Sequence, residues 1–228
     1  VVVGDEAHLF KANVLKGILE KMRNTAVRFG TTGTLDGTEV HRLQLEGLFG
    51  PATKVISTSD LIEDGTIASI DIDVVILEHD KISKVSYQDE MEYLVMNQKR
   101  NDFLCNLVYS LKGNTLVLFQ YVEKHGFVLH SMMKERVKDL HYVYGGTDTK
   151  DREEVRELVE QQDDAVILAS YGTFSTGVNI KKIDNIVFAS PSKSRIRSLQ
   201  SIGRGLCKGN GNESLRVFDI ADVLWGDS

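Results

Sequence analysis

The chain has 228 residues, of which 42% are hydrophobic and 26% charged, and its formal net charge is −6. These values describe an ordinary globular chain of one or two domains and exclude a surface that is basic as a whole. No apolar run approaches the roughly 18 residues that span a bilayer, which argues against a membrane protein, and the two cysteines, Cys105 and Cys207, are too far apart to read as a metal-type pair or a disulfide scaffold.

The opening residues 1–4, "VVVG", read as a buried strand that runs straight into Asp5-Glu6-Ala7-His8. They have no basic flank and do not read as a leader; a strand-like start without Met reads instead as a fragment of a longer chain. Residues 11–23 carry Val14, Leu15, Ile18, Leu19 and Met22 on one helical stripe, the pattern of a core-facing helix. "AVRFGTTGTLDGT" reads as a strand entering a Gly/Thr-rich loop, and 39–48 as a helix stopped near Gly50-Pro51. Residues 70–77 alternate and then turn continuously apolar, as a strand or linker would.

A second unit follows. Its pattern predicts a long helix over 87–111, a buried strand at 115–119, a helix over 122–136 and a strand at 141–146 stopped by a glycine pair. An acidic helix over 149–160, strands at 165–170 and 185–190, a helix over 194–207 and a last strand at 214–220 complete it. Continuously apolar strands alternating with helices predict an α/β fold, a parallel sheet covered on both faces. Residues 1–75 are expected to be the later half of one such domain and 76–228 a second, complete one.

In open parallel sheets the functional residues collect beyond the carboxyl ends of the strands, where Asp5 and Glu6 sit. An acidic pair so placed suits nucleotide hydrolysis, one carboxylate holding Mg²⁺ and its neighbour orienting the attacking water. The glycine-rich phosphate cradle that should accompany it is absent: none of the 19 glycines is followed by Lys. Three other stretches bear on the same chemistry. "TTGTL" at 31–35 and "ASYGTFSTGVNI" at 169–180 follow strands, and "LQSIGRGLCK" at 199–208 carries Gln200, Gly203 and Arg204. Each alone also reads as a small loop, a flexible loop or a solvated basic helix. An arginine reaching across a cleft to a γ-phosphate can raise hydrolysis by about 10³–10⁵.

In this order, after DEAH, the stretches resemble motifs II to VI of the superfamily 2 helicases of DExH type. Asp5–His8 matches motif II, Thr32-Gly33-Thr34 motif III, Leu116–Gln120 motif IV, Ser170–Asn179 motif V and Gln200–Cys207 motif VI. "RFGTTGTLDGT", "LEGLFGP" and "ASYGTFSTGVNI" look most like the recombination and repair helicases of T4-type phages. The resemblance implies RecA-like domains with ATP between them. Asp5 would hold Mg²⁺, Glu6 would act as catalytic base, and His8 and Gln200 would couple the domains near the γ-phosphate. Thr32, Gly33 and Thr34 would link hydrolysis to DNA movement. Gly177 and Asn179 would approach the nucleotide, and Arg204 the γ-phosphate. Hydroxyl and amide groups of Gln120, Ser170, Tyr171 and Thr176 would grip the nucleic-acid backbone. Single-stranded and branched DNA, and RNA–DNA hybrids in R-loops, are the implied partners. The implied setting is the cytoplasm of a phage-infected bacterium.

Two positions depart from the family pattern. Cys207 stands where the motif has its second arginine, and a thiol supplies neither a fixed charge nor a guanidinium fork. Asn179 stands where many relatives carry Asp. Two further readings therefore stay open: a non-catalytic nucleic-acid-binding module derived from such a motor, and a restriction- or repair-type translocase.

Overall fold

The computed structural model describes residues 1–7, 12–22, 24–33, 39–80, 86–176, 180, 182–191 and 214–224. Every strand pair in them is parallel, in two sheets. The smaller joins β1 (Val2–Gly4) to β2 (Arg28–Gly30), in register Gly4↔Gly30. Between and after these strands lie α1 (Ala12–Lys21), α2 (Glu39–Phe49) and the short α3 (Thr58–Glu63).

The larger sheet has six strands in the order β3-β8-β7-β4-β6-β5. They are β3 (Ser69–Glu78), β4 (Thr115–Phe119), β5 (Leu140–Val143), β6 (Val166–Ser170), β7 (Asn185–Phe188) and β8 (Ser214–Val223). The helices are α4 (Tyr87–Met96), α5 (Gln98–Ser110), α6 (Phe127–Met133), α7 (Thr149–Glu160) and α8 (Tyr171–Thr176). Alternate strand residues enter opposite cores. Leu116, Leu118, Ile167, Ile186 and Val217 join Val159 of α7 and Tyr171 of α8 on one face. Val117, Phe119, Leu168, Val187 and Phe218 join Leu104 of α5 and Leu129 and Met133 of α6 on the other. Burial on both faces is why β4, β6 and β7 are apolar along most of their length.

Several elements differ from the sequence expectation. The helix expected over 87–111 is two, because Asn97 is extended (φ −69°, ψ 111°) and its side chain caps α5 by accepting from the Arg100 amide at 3.0 Å. The expected 122–136 helix opens with a wide π-type turn, Val122–Gly126, and α6 ends at Met133. The stretch after β6, read as a loop, begins with α8. Val3, expected to be buried, is 64% exposed, since β1 has only β2 as a strand partner among the described residues. All ten residues of β3 pair with β8, so the division expected at 75/76 falls inside that strand. The expected helix over 194–207 lies outside the described residues.

Candidate functional site

At the smaller sheet, the Gly4↔Gly30 register brings the loops after β1 and β2 side by side. Thr31 joins them through three groups: its amide donates to the Gly4 carbonyl at 2.8 Å, its carbonyl accepts from the Ala7 amide at 2.9 Å, and its hydroxyl donates to Asp5 Oδ1 at 2.9 Å. The same Oδ1 accepts from the Glu6 amide at 2.9 Å. Asp5 is exposed; Oδ1 fixes the carboxylate's direction, and Oδ2 carries no hydrogen bond among the described residues. That donor suits a cation such as Mg²⁺, which takes one or two carboxylates and completes its shell with phosphates and water. Glu6 has φ 48°, in the left-handed region, a backbone state of the order of 1–3 kcal/mol above the usual ones and concentrated at functional sites.

Glycine is needed directly beneath this junction. A Cβ on Gly30 would come to 2.9 Å from the Phe49 ring and one on Gly4 to 3.1 Å, so the ring of α2's last residue lies flat where both strands end.

The larger sheet gathers polar groups at the carboxyl ends of β4, β5 and β6. Two contiguous grooves there share Gln120, Val122 and Gly145. One adds Lys124 and Tyr144; the other adds Arg152, Ser170 and Thr173. Arg152 of α7 donates from Nη2 to the Gly145 carbonyl at 3.2 Å, while its buried Nε has no partner among the described residues. Ser170 Oγ and Thr173 Oγ1 are 2.8 Å apart, and the Thr173 amide also faces Ser170 Oγ at 3.4 Å. Backbone donors, hydroxyls and a guanidinium around one concave strip are the groups that receive phosphate oxygens without reading sequence.

Behind the grooves lies a buried polar frame. The Gln120 amide donates to Ser190 Oγ at 3.1 Å, His125 Nδ1 lies 2.8 Å from the same oxygen, and His125 Nε2 is 3.2 Å from Asn101 Oδ1. Burial, reinforced by the neighbouring Arg100 charge, lowers the His125 pKa to about 3, so the ring is neutral. Arg100, itself buried, grips both oxygens of Asp222 at 2.8 and 2.9 Å and donates from Nη1 to the Ala189 carbonyl at 2.7 Å.

The structure thus brings Asp5 and Glu6 against the Thr31–Gly33 loop, and Gln120 and Ser170 onto one pair of grooves. Tyr171 turns inward: its ring is 1% exposed, stacks on Phe188 and donates its hydroxyl to the Ser190 carbonyl at 2.7 Å. Burial pushes its pKa upward. Gly33 has open space where a Cβ would be. Thr176 ends α8. His8, Thr34, Gly177, Asn179, Gln200, Arg204 and Cys207 lie outside the described residues. Sequence reasoning passed over Thr31, Arg152, Ser190 and His125. Thr31 lies in the strand-to-loop stretch "AVRFGTTGTLDGT", and Arg152 lies in α7, whose sequence reads only as an acidic helix.

Residues 99–209 match the helicase conserved C-terminal domain family, and the fold is that of the superfamily 2 helicases, with the six-stranded sheet as a RecA-like C-terminal domain. Over 97% of its length the chain is 31% identical to the ATP-dependent DNA helicase uvsW of Enterobacteria phage T4, of which it spans 46%. The crystal structure of T4 UvsW superposes with a TM-score of 0.60 at 28% identity, covering 96% of this chain and 44% of that one. The DNA-bound Type ISP restriction-modification enzyme LlaBIII shares the fold, with a TM-score of 0.62 at 15% identity over 97% of this chain and 18% of that one. The chain therefore spans less than half the length of the curated relative. Among the described residues no helix is long and apolar enough to cross a membrane.

Proposed function

We propose that this chain is the motor portion of an ATP-dependent DNA helicase or translocase that remodels branched DNA: forks, D-loops, R-loops and Holliday junctions in recombination, repair and replication. The observation that carries this reading is the Asp5–Glu6–Thr31 junction, an exposed acidic pair at a strand end whose Asp5 is fixed through one carboxylate oxygen. The relative's identity as a DNA helicase and the likeness to recombination and repair helicases support the substrate class.

In this reading ATP binds between two RecA-like units, the later half of one and a complete second. The pairing of β3 throughout with β8 supports counting Ser69–Glu78 with the second. Asp5 would hold Mg²⁺, which would supply charge neutralisation on the phosphates. Glu6 orients water, and Thr31 fixes Asp5 and the neighbouring loop so that Thr32, Gly33 and Thr34 sense the nucleotide's state. His8 and Gln200 couple the units, Gly177 and Asn179 approach the nucleotide, and Arg204 meets the γ-phosphate. Gln120, Ser170, Thr173 and Arg152 line the strand's path, with Thr176 at the end of α8. The phosphate cradle absent from this sequence belongs, in this reading, to a preceding segment.

The test is ATP hydrolysis by the chain extended through its upstream coding sequence. DNA-stimulated turnover is expected, and Glu6→Gln should lower it by about a hundredfold or more, as loss of a general base does. Equal rates for the variant and the parent would overturn the role of Glu6. Cys207 favours one alternative, a binding module without turnover. DNA binding without any hydrolysis by the extended chain would select it.

A further inference from the structure

The frame behind the grooves has a direction that fixes every proton in it. Asn101 Nδ2 donates to the Val95 carbonyl at 3.0 Å, so Asn101 Oδ1 is the acceptor that faces His125. His125 must then donate from Nε2, which leaves Nδ1 as an acceptor for the Ser190 hydroxyl at 2.8 Å. With its proton committed to the ring, Ser190 Oγ offers a lone pair to the Gln120 amide at 3.1 Å. The chain of bonds runs from α5 through the turn before α6 to the end of β7 and on to the end of β4. Asn101, His125 and Ser190 are all 1% exposed or less. Ser190 is also fixed through its carbonyl by Tyr171, the residue after Ser170, and the carbonyl before it is held by Arg100.

We infer that Ser190, its hydroxyl oriented by His125 and Asn101, is a positioning residue for the nucleic-acid grooves, setting Gln120 on one wall against Ser170 and Thr173 on the other. The inference rests on the reading of those grooves as the path of the strand. Ser190 touches no nucleic acid in this arrangement. It joins the end of β7 to the end of β4, where the next residue, Gln120, lines both grooves, and its hydroxyl oxygen accepts from the Gln120 amide. A neutral Nε2–H imidazole is the one form of His125 that accepts from Ser190, and its depressed pKa keeps that form throughout the physiological range.

The experiment is binding of a labelled oligothymidylate to the chain, by fluorescence anisotropy over a salt series, with thermal unfolding as a fold control. Ser190→Ala should weaken binding about threefold to tenfold, the range of one neutral hydrogen bond. The slope of log K against log salt should stay unchanged, because that slope counts phosphates neutralised and no charge is lost. Ser190→Thr, which keeps the hydroxyl, should bind within about twofold of the parent. Arg152→Ala should both weaken binding and flatten the slope. A folded Ser190→Ala protein of unchanged affinity, beside a weakened Arg152→Ala, overturns the positioning role and leaves the groove standing. Unchanged affinity in both removes the groove reading, and the inference falls with it. Should Ser190→Ala not fold, His125→Gln and His125→Leu make the same comparison. The amide keeps a donor and an acceptor and should bind as the parent does, while leucine should follow the Ser190→Ala expectation. Equal binding by those two variants would overturn the inference.

Discussion

His125 donates from one ring nitrogen and accepts at the other inside the core, and burial, aided by the nearby Arg100 guanidinium, depresses its pKa from 6.5 to about 3. The consequence for stability has a definite sign. Above about pH 6.5 the ring is neutral in both the folded and the unfolded chain, and His125 gives no pH dependence. As pH falls from there towards 3, the unfolded chain binds a proton that the folded one refuses. Stability then drops by up to about 1.4 kcal/mol per pH unit from this group. His125→Gln keeps the hydrogen bonds and removes the titration. Denaturant unfolding at pH 7 and pH 4.5 should therefore show a smaller loss for the variant than for the parent, with the other acidic and basic groups cancelling in the comparison. Identical losses would mean that His125 protonates in the folded state.

At the scale of elements, the turn between β4 and α6 shows how a single small residue decides a local path. The Gly126 amide reaches back to the Tyr121 carbonyl at 2.9 Å, the long step of a π-type turn, and a Cβ on Gly126 would sit 2.6 Å from both the Phe119 ring and the Tyr142 hydroxyl. Those two rings stack 5.5 Å apart beneath the first groove. Gly126→Ala should overpack this seam and cost about 1–3 kcal/mol in denaturant unfolding. A variant as stable as the parent would show that the rings yield freely. The stacked aromatics were legible in the sequence only as apolar residues, whereas "TLVLF" is β4 residue for residue, because a strand buried on both faces is apolar over most of its length, here all but Thr115. Helix limits were less legible. The apolar stripe continues across Asn97, and only its extended backbone and side-chain cap divide α4 from α5. The acidic pair after β1 was legible from its position at a strand end. The Thr31 bond to Asp5 was not, since it depends on the register of two strands far apart in sequence. Ser190 and His125 carried no local signal at all; what makes them matter is their meeting across 65 residues.

For the whole molecule, the proposed function asks how a chain of net charge −6 would engage a polyanion. Charges on the far side of the protein contribute little, because at physiological salt the screening length is about 8 Å. Local density decides, and it is concentrated: residues 190–212 hold Lys193, Arg195, Arg197, Arg204 and Lys208 with no acidic residue among them. Placed next in sequence to Ser190 and its groove, such a stretch can carry the electrostatic part of binding while the rest of the surface stays acidic and discourages non-specific association. Replacing Lys193, Arg195 and Arg197 together by Gln should weaken oligothymidylate binding and flatten its salt dependence by about 0.7 for each side chain that neutralises a phosphate. This signature differs in its slope from that expected for Ser190→Ala, where affinity falls and the slope holds. The pair of measurements therefore separates cations that touch the strand from neutral groups that shape its path. If the triple variant keeps both affinity and slope, these cations are solvated surface, and binding must draw on Lys124, Arg152 and backbone donors at the grooves instead.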